Sequence, residues 1–220
     1  MIGLAFIGGW RRVLLLGYGA MTLLVNAGPA GAETLRLLAL GDSLTAGYGL
    51  AADQGFAPQL ERALRAQGFD VRVINGGVSG DTSAGGLARL DWALADKPHA
   101  AIVELGANDG LRGLEPARMQ DNLDAIVGRL KSRGVKVLLA GMLAPPNLGR
   151  EYGDAFLAAY RQVATRHGVP LYPFFLDGVA GQAKLNQKDG LHPTAEGVTV
   201  IVERIAPSVA RLLKDDGGKR

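Results

Sequence analysis

Apolar residues in this chain come in short unbroken runs, separated by stretches of helical period. Leu37-Leu38-Ala39-Leu40 has no polar interruption and stops abruptly at Gly41-Asp42-Ser43-Leu44. Such a run suits a strand buried on both faces, and Gly-Asp-Ser breaks it into a turn. The pattern repeats. Residues 56–67 predict a helix with Pro58 in its first turn, Leu60 and Leu64 on one face and Gly68 as its stop. Residues 71–74 predict a second strand, followed by a loop over 75–83 dense in glycine and small polar residues. Leu87, Leu90 and Leu94 share one side of the next helix. Residues 101–105 predict a third strand that runs into a turn at 106–110. Leu123, Ile126, Val127 and Leu130 mark a helix ended by Gly134. A fourth strand follows over 135–140, then a Pro-containing loop over 141–149. Tyr152, Phe156, Tyr160 and Val163 define a further helix, and 169–172 a short fifth strand. Residues 174–188 show no readable period. Val198, Ile201, Ile205, Val209 and Leu212 face inward on a last helix that Pro207 is expected to kink, with a frayed tail over 214–220.

Strand and helix alternate five times. That predicts an α/β fold: a three-layer α/β/α sandwich around a five-stranded parallel sheet. Right-handed crossovers bring the strand-end loops to one edge of the sheet, where open α/β proteins bind ligands. No repeat or linker divides the chain, and its 220 residues suit one domain.

The first 32 residues stand apart. Arg11-Arg12 precedes an apolar stretch over 13–25 and then Asn26-Ala27-Gly28-Pro29-Ala30-Gly31-Ala32. Positive charge, a short apolar core and an Ala-x-Ala ending predict a signal peptide over 1–32, cleaved after Ala32, and a domain over 33–220 in the periplasm or outside the cell. The alternative is an uncleaved anchor, for which the apolar core is short against a span of about 20 residues. The Arg pair hints at twin-arginine export. Cleavage removes two arginines and no acid, leaving 22 Lys+Arg against 21 Asp+Glu, a net charge of +1. No basic cluster suggests a nucleic-acid partner. No stable membrane insertion is expected after cleavage, and a monomer is expected. The absence of cysteine excludes disulfides, thiolate nucleophiles and Cys-based zinc sites.

Four loops meet at the predicted edge: 41–47, 75–83, 106–110 and 189–193. Together they hold what acyl transfer needs: a nucleophile, a base, a group that orients the base, and donors for an oxyanion. Ser43 is the candidate nucleophile; alone it reads more readily as a helix N-cap, and the other strand-end loops reverse that. Of three histidines, His99 precedes the third strand at the opposite edge. His167 falls in the last turn of a helix, where a cation suits the dipole. Only His192 lies at the proposed site; its alternative is a surface histidine opening a helix before Pro193. Asp189, three residues earlier, can reach one imidazole nitrogen and leave the other for Ser43; its alternative is a turn aspartate. The Ser43 and Gly80 backbone amides and the Asn108 side chain are candidate oxyanion donors, with Asn108 otherwise a turn residue. Glu104, charged within a strand, is either a buried partner of the site or a strand end open to water. Leu111 and Leu114 read as groove or as core.

Gly41-Asp42-Ser43-Leu44, Gly80, Gly106-Ala107-Asn108-Asp109 and Asp189-Gly190-Leu191-His192 resemble, in order, the four blocks of the SGNH (GDSL) hydrolases. The resemblance runs from Leu35 to about Leu213. Within the family the chain is similar to the multifunctional thioesterase/protease/lysophospholipase enzymes and to arylesterases. The resemblance implies Ser43 as nucleophile, His192 as base and Asp189 as its partner, with Ser43, Gly80 and Asn108 as the oxyanion hole. It implies a flavodoxin-like strand order 2-1-3-4-5, no metal or organic cofactor, and an ester, thioester or lysophospholipid substrate. The proline pair in Leu143-Ala144-Pro145-Pro146 fits the arylesterase-like members better. Two rival readings use the same edge: a non-catalytic periplasmic lipid or small-molecule binding module, and a nucleotide-binding domain. The second lacks both Gly-x-Gly-x-x-Gly and a Gly-Lys-Ser/Thr loop.

Overall fold

A computed structural model describes residues 33–214. The signal-peptide reading of 1–32 and the end of the tail, 215–220, lie outside the described residues. Strand β1 (Leu35–Gly41) buries Leu37, Leu38, Ala39 and Leu40 almost completely, as an unbroken apolar run between two helical layers should. Its neighbours are β2 (Val71–Gly77) on one side and β3 (Ala100–Glu104) on the other; β4 (Lys136–Ala140) and a two-residue β5 (Leu171–Tyr172) complete the sheet. All pairings are parallel and the order is β2-β1-β3-β4-β5, as the family resemblance implies.

Several predicted elements differ. The second strand continues through Asn75-Gly76-Gly77, read from sequence as loop, because those residues pair in register with Ala39, Leu40 and Gly41. Small residues carry no strand signal, yet their backbones complete the ladder. The helix expected through Leu87, Leu90 and Leu94 is broken into α3 (Ser83–Ala88), α4 (Leu90–Ala93) and a single 3-10 turn. Leu90 and Leu94 are buried, but Trp92 is 72% exposed. The break falls at Arg89, whose backbone at φ -100, ψ 7 leaves helical geometry.

The other helices follow their apolar periods. Helix α1 (Ser43–Ala46) is one turn, and α2 (Phe56–Ala66) buries Phe56, Leu60 and Leu64. Helix α5 (Ala107–Leu111) turns the expected loop after β3 into a short helix. Helix α6 (Pro116–Ser132) packs against α7 (Arg150–His167). Helix α8 (Ala195–Lys214) runs without a break through Pro207 and includes Lys214, the first residue of the expected tail. Its buried residues include Val198, Ile201, Ile205, Val209 and Leu212, all of the stripe read from sequence. Truncating a fully buried core leucine such as Leu40 to alanine costs about 2–5 kcal/mol.

Register decides what meets at the carboxyl edge. Gly41 pairs with Gly77 on one side and Glu104 on the other, so the loops after β2, β1 and β3 leave the sheet side by side. Between β1 and β3 the chain order reverses, which opens the crevice where such sheets place ligands.

Candidate active site

Ser43 is the first residue of α1, immediately after β1. It is not the N-cap. Asp42 holds that place, its Oδ1 accepting from the Leu44 N–H at 3.0 Å, which removes the capping alternative for Ser43. Freed from capping, the Ser43 hydroxyl lies 2.9 Å from His192 Nε2. His192 Nδ1 lies 2.6 Å from Asp189 Oδ2. The other oxygen, Asp189 Oδ1, accepts from the Leu191 and His192 backbone N–H groups at 2.9 and 3.0 Å. A tight turn therefore aims carboxylate and imidazole along one line to the serine, as the three-residue spacing predicts. These bonds to the ionised form hold the Asp189 carboxyl down at about 2, with those to His192 first among the causes.

The histidine loop is tied down by a residue that sequence reading passed over. Gln187 donates through Nε2 to the carbonyls of Tyr48 and Pro193, and through its backbone N–H to the His192 carbonyl at 2.7 Å. The Tyr48 ring lies against the imidazole with centroids 4.5 Å apart. Gln187 sits in the stretch without period, and nothing local marks it. The segment 174–188 as a whole is a series of turns, with Asn186 bridging to Pro193.

The expected oxyanion donors come from three loops. The Ser43 and Gly80 backbone N–H groups have no hydrogen-bond acceptor among the described residues. Gly80 adopts φ +85, a region that side chains other than glycine rarely enter, and its carbonyl accepts from Arg112 at 2.8 Å. The third donor, Asn108, stands in α5 just after Gly106. That glycine has φ +122, and a β-carbon there would come within 2.0 Å of the Tyr160 hydroxyl. In the free protein both Asn108 Nδ2 hydrogens are engaged, one with Asp42 Oδ2 at 3.1 Å and one with the Asp81 carbonyl at 2.9 Å. Ser43, Asn108 and His192 line a common cavity of about 580 Å³; Gly80 is not among its lining residues. The walls are mostly apolar: Leu111, Met142, Leu143, Pro145, Phe174 and Leu191 among them. Leu111 belongs to this groove and is 54% exposed, and Leu114 is exposed too, so neither is core.

Glu104 is buried, not open to water. Its Oε2 accepts from Thr45 Oγ1 at 2.8 Å and faces the Asp42 N–H at 3.5 Å, while Oε1 has no partner. Burial first, and the Asp42 charge second, hold its carboxyl well above the usual range. Burial also pushes the Asp42 carboxyl up to about 6. The other histidines stay at the far edge: His99 Nδ1 accepts from the Arg36 N–H at 2.9 Å, and His167 Nε2 lies 3.0 Å from Asp124. No group of metal-ligating side chains occurs among the described residues.

Comparison with known proteins places the chain in a family. Residues 39–200 match the GDSL-like lipase/acylhydrolase family. The chain is 44% identical over 204 residues to "Esterase TesA" of Pseudomonas aeruginosa, covering 92% of this chain and 100% of that protein. It is 41% identical to an arylesterase of Vibrio mimicus (81% and 90% covered) and 38% identical to thioesterase 1/protease 1/lysophospholipase L1 of Escherichia coli K12 (85% and 88%). Among solved structures, AlinE4, an SGNH-hydrolase family esterase, is 48% identical with a TM-score of 0.70, over 82% of this chain and 97% of that one. The chain belongs to the GDSL-like lipase/acylhydrolase family, the SGNH hydrolases. Within that class it is an ester hydrolase, and the non-catalytic binding reading falls away.

Proposed function

We propose that the protein is an exported serine esterase in which Ser43, His192 and Asp189 form the catalytic relay and Ser43 N–H, Gly80 N–H and Asn108 Nδ2 hold the oxyanion. The observation that supports it is the unbroken line from Asp189 Oδ2 through the imidazole to Ser43 Oγ, at 2.6 and 2.9 Å, opening on an apolar cavity. Ser43 Oγ attacks the ester carbonyl as His192 Nε2 takes its proton. Asp189 holds the tautomer with hydrogen on Nδ1 and stabilises the imidazolium. The carbonyl oxygen becomes an oxyanion facing the three donors. Collapse expels the alcohol, protonated by His192. A water, deprotonated by the same nitrogen, then releases the acid and restores Ser43. Nothing in this sequence calls for a metal or organic cofactor.

The apolar walls suit an acyl chain, and the names of the relatives extend the substrate range to aryl esters, acyl thioesters and lysophospholipids. Export follows from the charge and apolar pattern of residues 1–32. No helix among the described residues is long and apolar enough to cross a membrane. Hydrolysis rates on matched aryl esters of increasing acyl length, with thioester and lysophospholipid counterparts, test the substrate range. Rates sustained along the series support a lipid hydrolase; rates confined to short acyl groups reduce it to an aryl or acetyl esterase. Covalent capture of a fluorophosphonate at Ser43 tests the nucleophile, and its absence in folded protein overturns that role.

A further inference from the structure

Behind the proposed catalytic relay lies a second acidic cluster that the hydrolytic steps do not use. Asp42 and Glu104 are both buried, at 0% and 1% exposure, and their backbones leave β1 and β3 next to each other. Neither carboxyl accepts a hydrogen bond from a cationic side chain among the described residues. Asp42 takes the Leu44 N–H and Asn108 Nδ2; Glu104 takes Thr45 Oγ1 and faces the Asp42 N–H. Arg89 turns Nε to Asp81 Oδ2 at 2.5 Å and Nη2 to the Gly41 carbonyl at 2.8 Å, and its buried Nη1 makes no hydrogen bond to either carboxyl. The charges that bear on the pair from other elements are His192 and Asp81 on Asp42; the Tyr160 hydroxyl donates to the Leu105 carbonyl at 2.8 Å, not to Glu104. Two unpaired buried carboxylates cannot both remain ionised at modest cost. The one with hydrogen bonds from an amide and a backbone N–H, Asp42, is the better anion. Glu104, with one oxygen unpartnered, is the neutral acid.

We propose that this pair is a positioning device for the oxyanion-binding amide: Asp42 holds Asn108 in place, and neutral Glu104, through Thr45, seats the Asp42–Ser43 turn from behind. The inference rests on the oxyanion role of Asn108 given above. Its basis is the accounting at Nδ2. An amide nitrogen has two hydrogens, and here one goes to Asp42 and the other to the Asp81 carbonyl. The Asn108 side chain is therefore fixed from two sides before substrate arrives. An arriving oxyanion shares the hydrogen of the longer bond, the 3.1 Å contact to Asp42. Asp81 is itself braced by Arg89, so the amide is held between two anchored acceptors. Holding a donor in position before charge develops is what makes it effective in the transition state.

Asp42→Asn separates this role from capping, since asparagine caps as well as aspartate but turns an amide toward the Asn108 amide. Asp42→Ser also caps and is too short to reach Asn108; it serves if the first variant folds poorly. Each is measured alone and combined with Asn108→Ala, as kcat and KM on one soluble ester, beside thermal unfolding. The expected result is a fall in kcat of about tenfold for either Asp42 variant, KM within about twofold, and no further fall when Asn108→Ala is already present. Multiplying effects in the double variant, or an unchanged or raised kcat in folded Asp42→Asn and Asp42→Ser, overturn the positioning role. If Asn108→Ala itself leaves kcat unchanged, the oxyanion assignment fails first, and the inference with it.

Discussion

The two ends of the sheet each carry a histidine bound to an aspartate, and only one pair is placed for chemistry. At the amino end His167 Nε2 meets Asp124 at 3.0 Å, and Arg166 shares the same carboxylate at 2.8 Å. At the carboxyl end His192 meets Asp189 at 2.6 Å through one nitrogen and Ser43 at 2.9 Å through the other. The His167 pair is an ion-pair cluster joining α6 to α7. The His192 pair has the Ser43 hydroxyl on its other nitrogen and an apolar cavity beyond it. A His–Asp contact by itself is thus no sign of catalysis. The third group and the open space decide, and both are supplied by β1 ending next to β3.

Breaking the carboxyl-end relay has the largest consequence. Ser43→Ala lowers kcat by a factor on the order of 10⁶ while the protein stays folded, read as loss of ester turnover with an unchanged melting temperature. Asn108→Ala, which leaves the relay intact, lowers kcat by about 10²–10³. A loss under tenfold reduces Asn108 to a helix-start residue. His167→Ala, the matching change at the other end, leaves kcat within about twofold and lowers stability by at most about 1 kcal/mol, since that pair is partly solvated. A large rate loss there would erase the contrast between the two ends.

Glu104→Gln is the smallest of these changes and reads out in stability against pH. The folded carboxyl is held well above the ordinary glutamate value of 4.5, so its contribution is fully present below pH 4.5 and is lost as pH rises toward the folded value. Asp42 adds a loss of the same sign between 3.8 and about 6. A neutral glutamine removes the Glu104 part. The melting temperature of Glu104→Gln therefore gains on the wild type from pH 5 to pH 8, with each kcal/mol worth about 2–4 °C. A constant difference across that range would mean that Glu104 is ionised in the fold.

The relay was more legible than the shell that supports it. Ser43, Asp189 and His192 stand out because chemistry demands those residue types at strand-end loops, and elimination leaves one histidine. The capping alternative for Ser43 falls away because the cap lies one residue earlier, at Asp42. Gln187, Arg89 and Tyr48 gave no local signal, since each acts on a group far away in sequence; Gln187 reaches Tyr48 across 139 positions. Helix α3 ends at Ala88, short of the helix expected through Leu94, because Arg89 leaves helical geometry between leucines that keep helical spacing.

The sequence by itself determined the alternating α/β pattern, the strands that are buried on both faces and the residue types available for acyl transfer. Those follow from local hydrophobic period and side-chain chemistry. The strand register, the meeting of Ser43 with His192 across 149 positions, and the fate of Glu104 were decided only by the tertiary structure. A carboxyl in a strand is ordinary if water reaches it. Here the pairing of Gly41 with Glu104 and the packing of α1 over the strand ends shut water out, and burial holds the Glu104 carboxyl well above the ordinary range beside the Asp42–Ser43 turn.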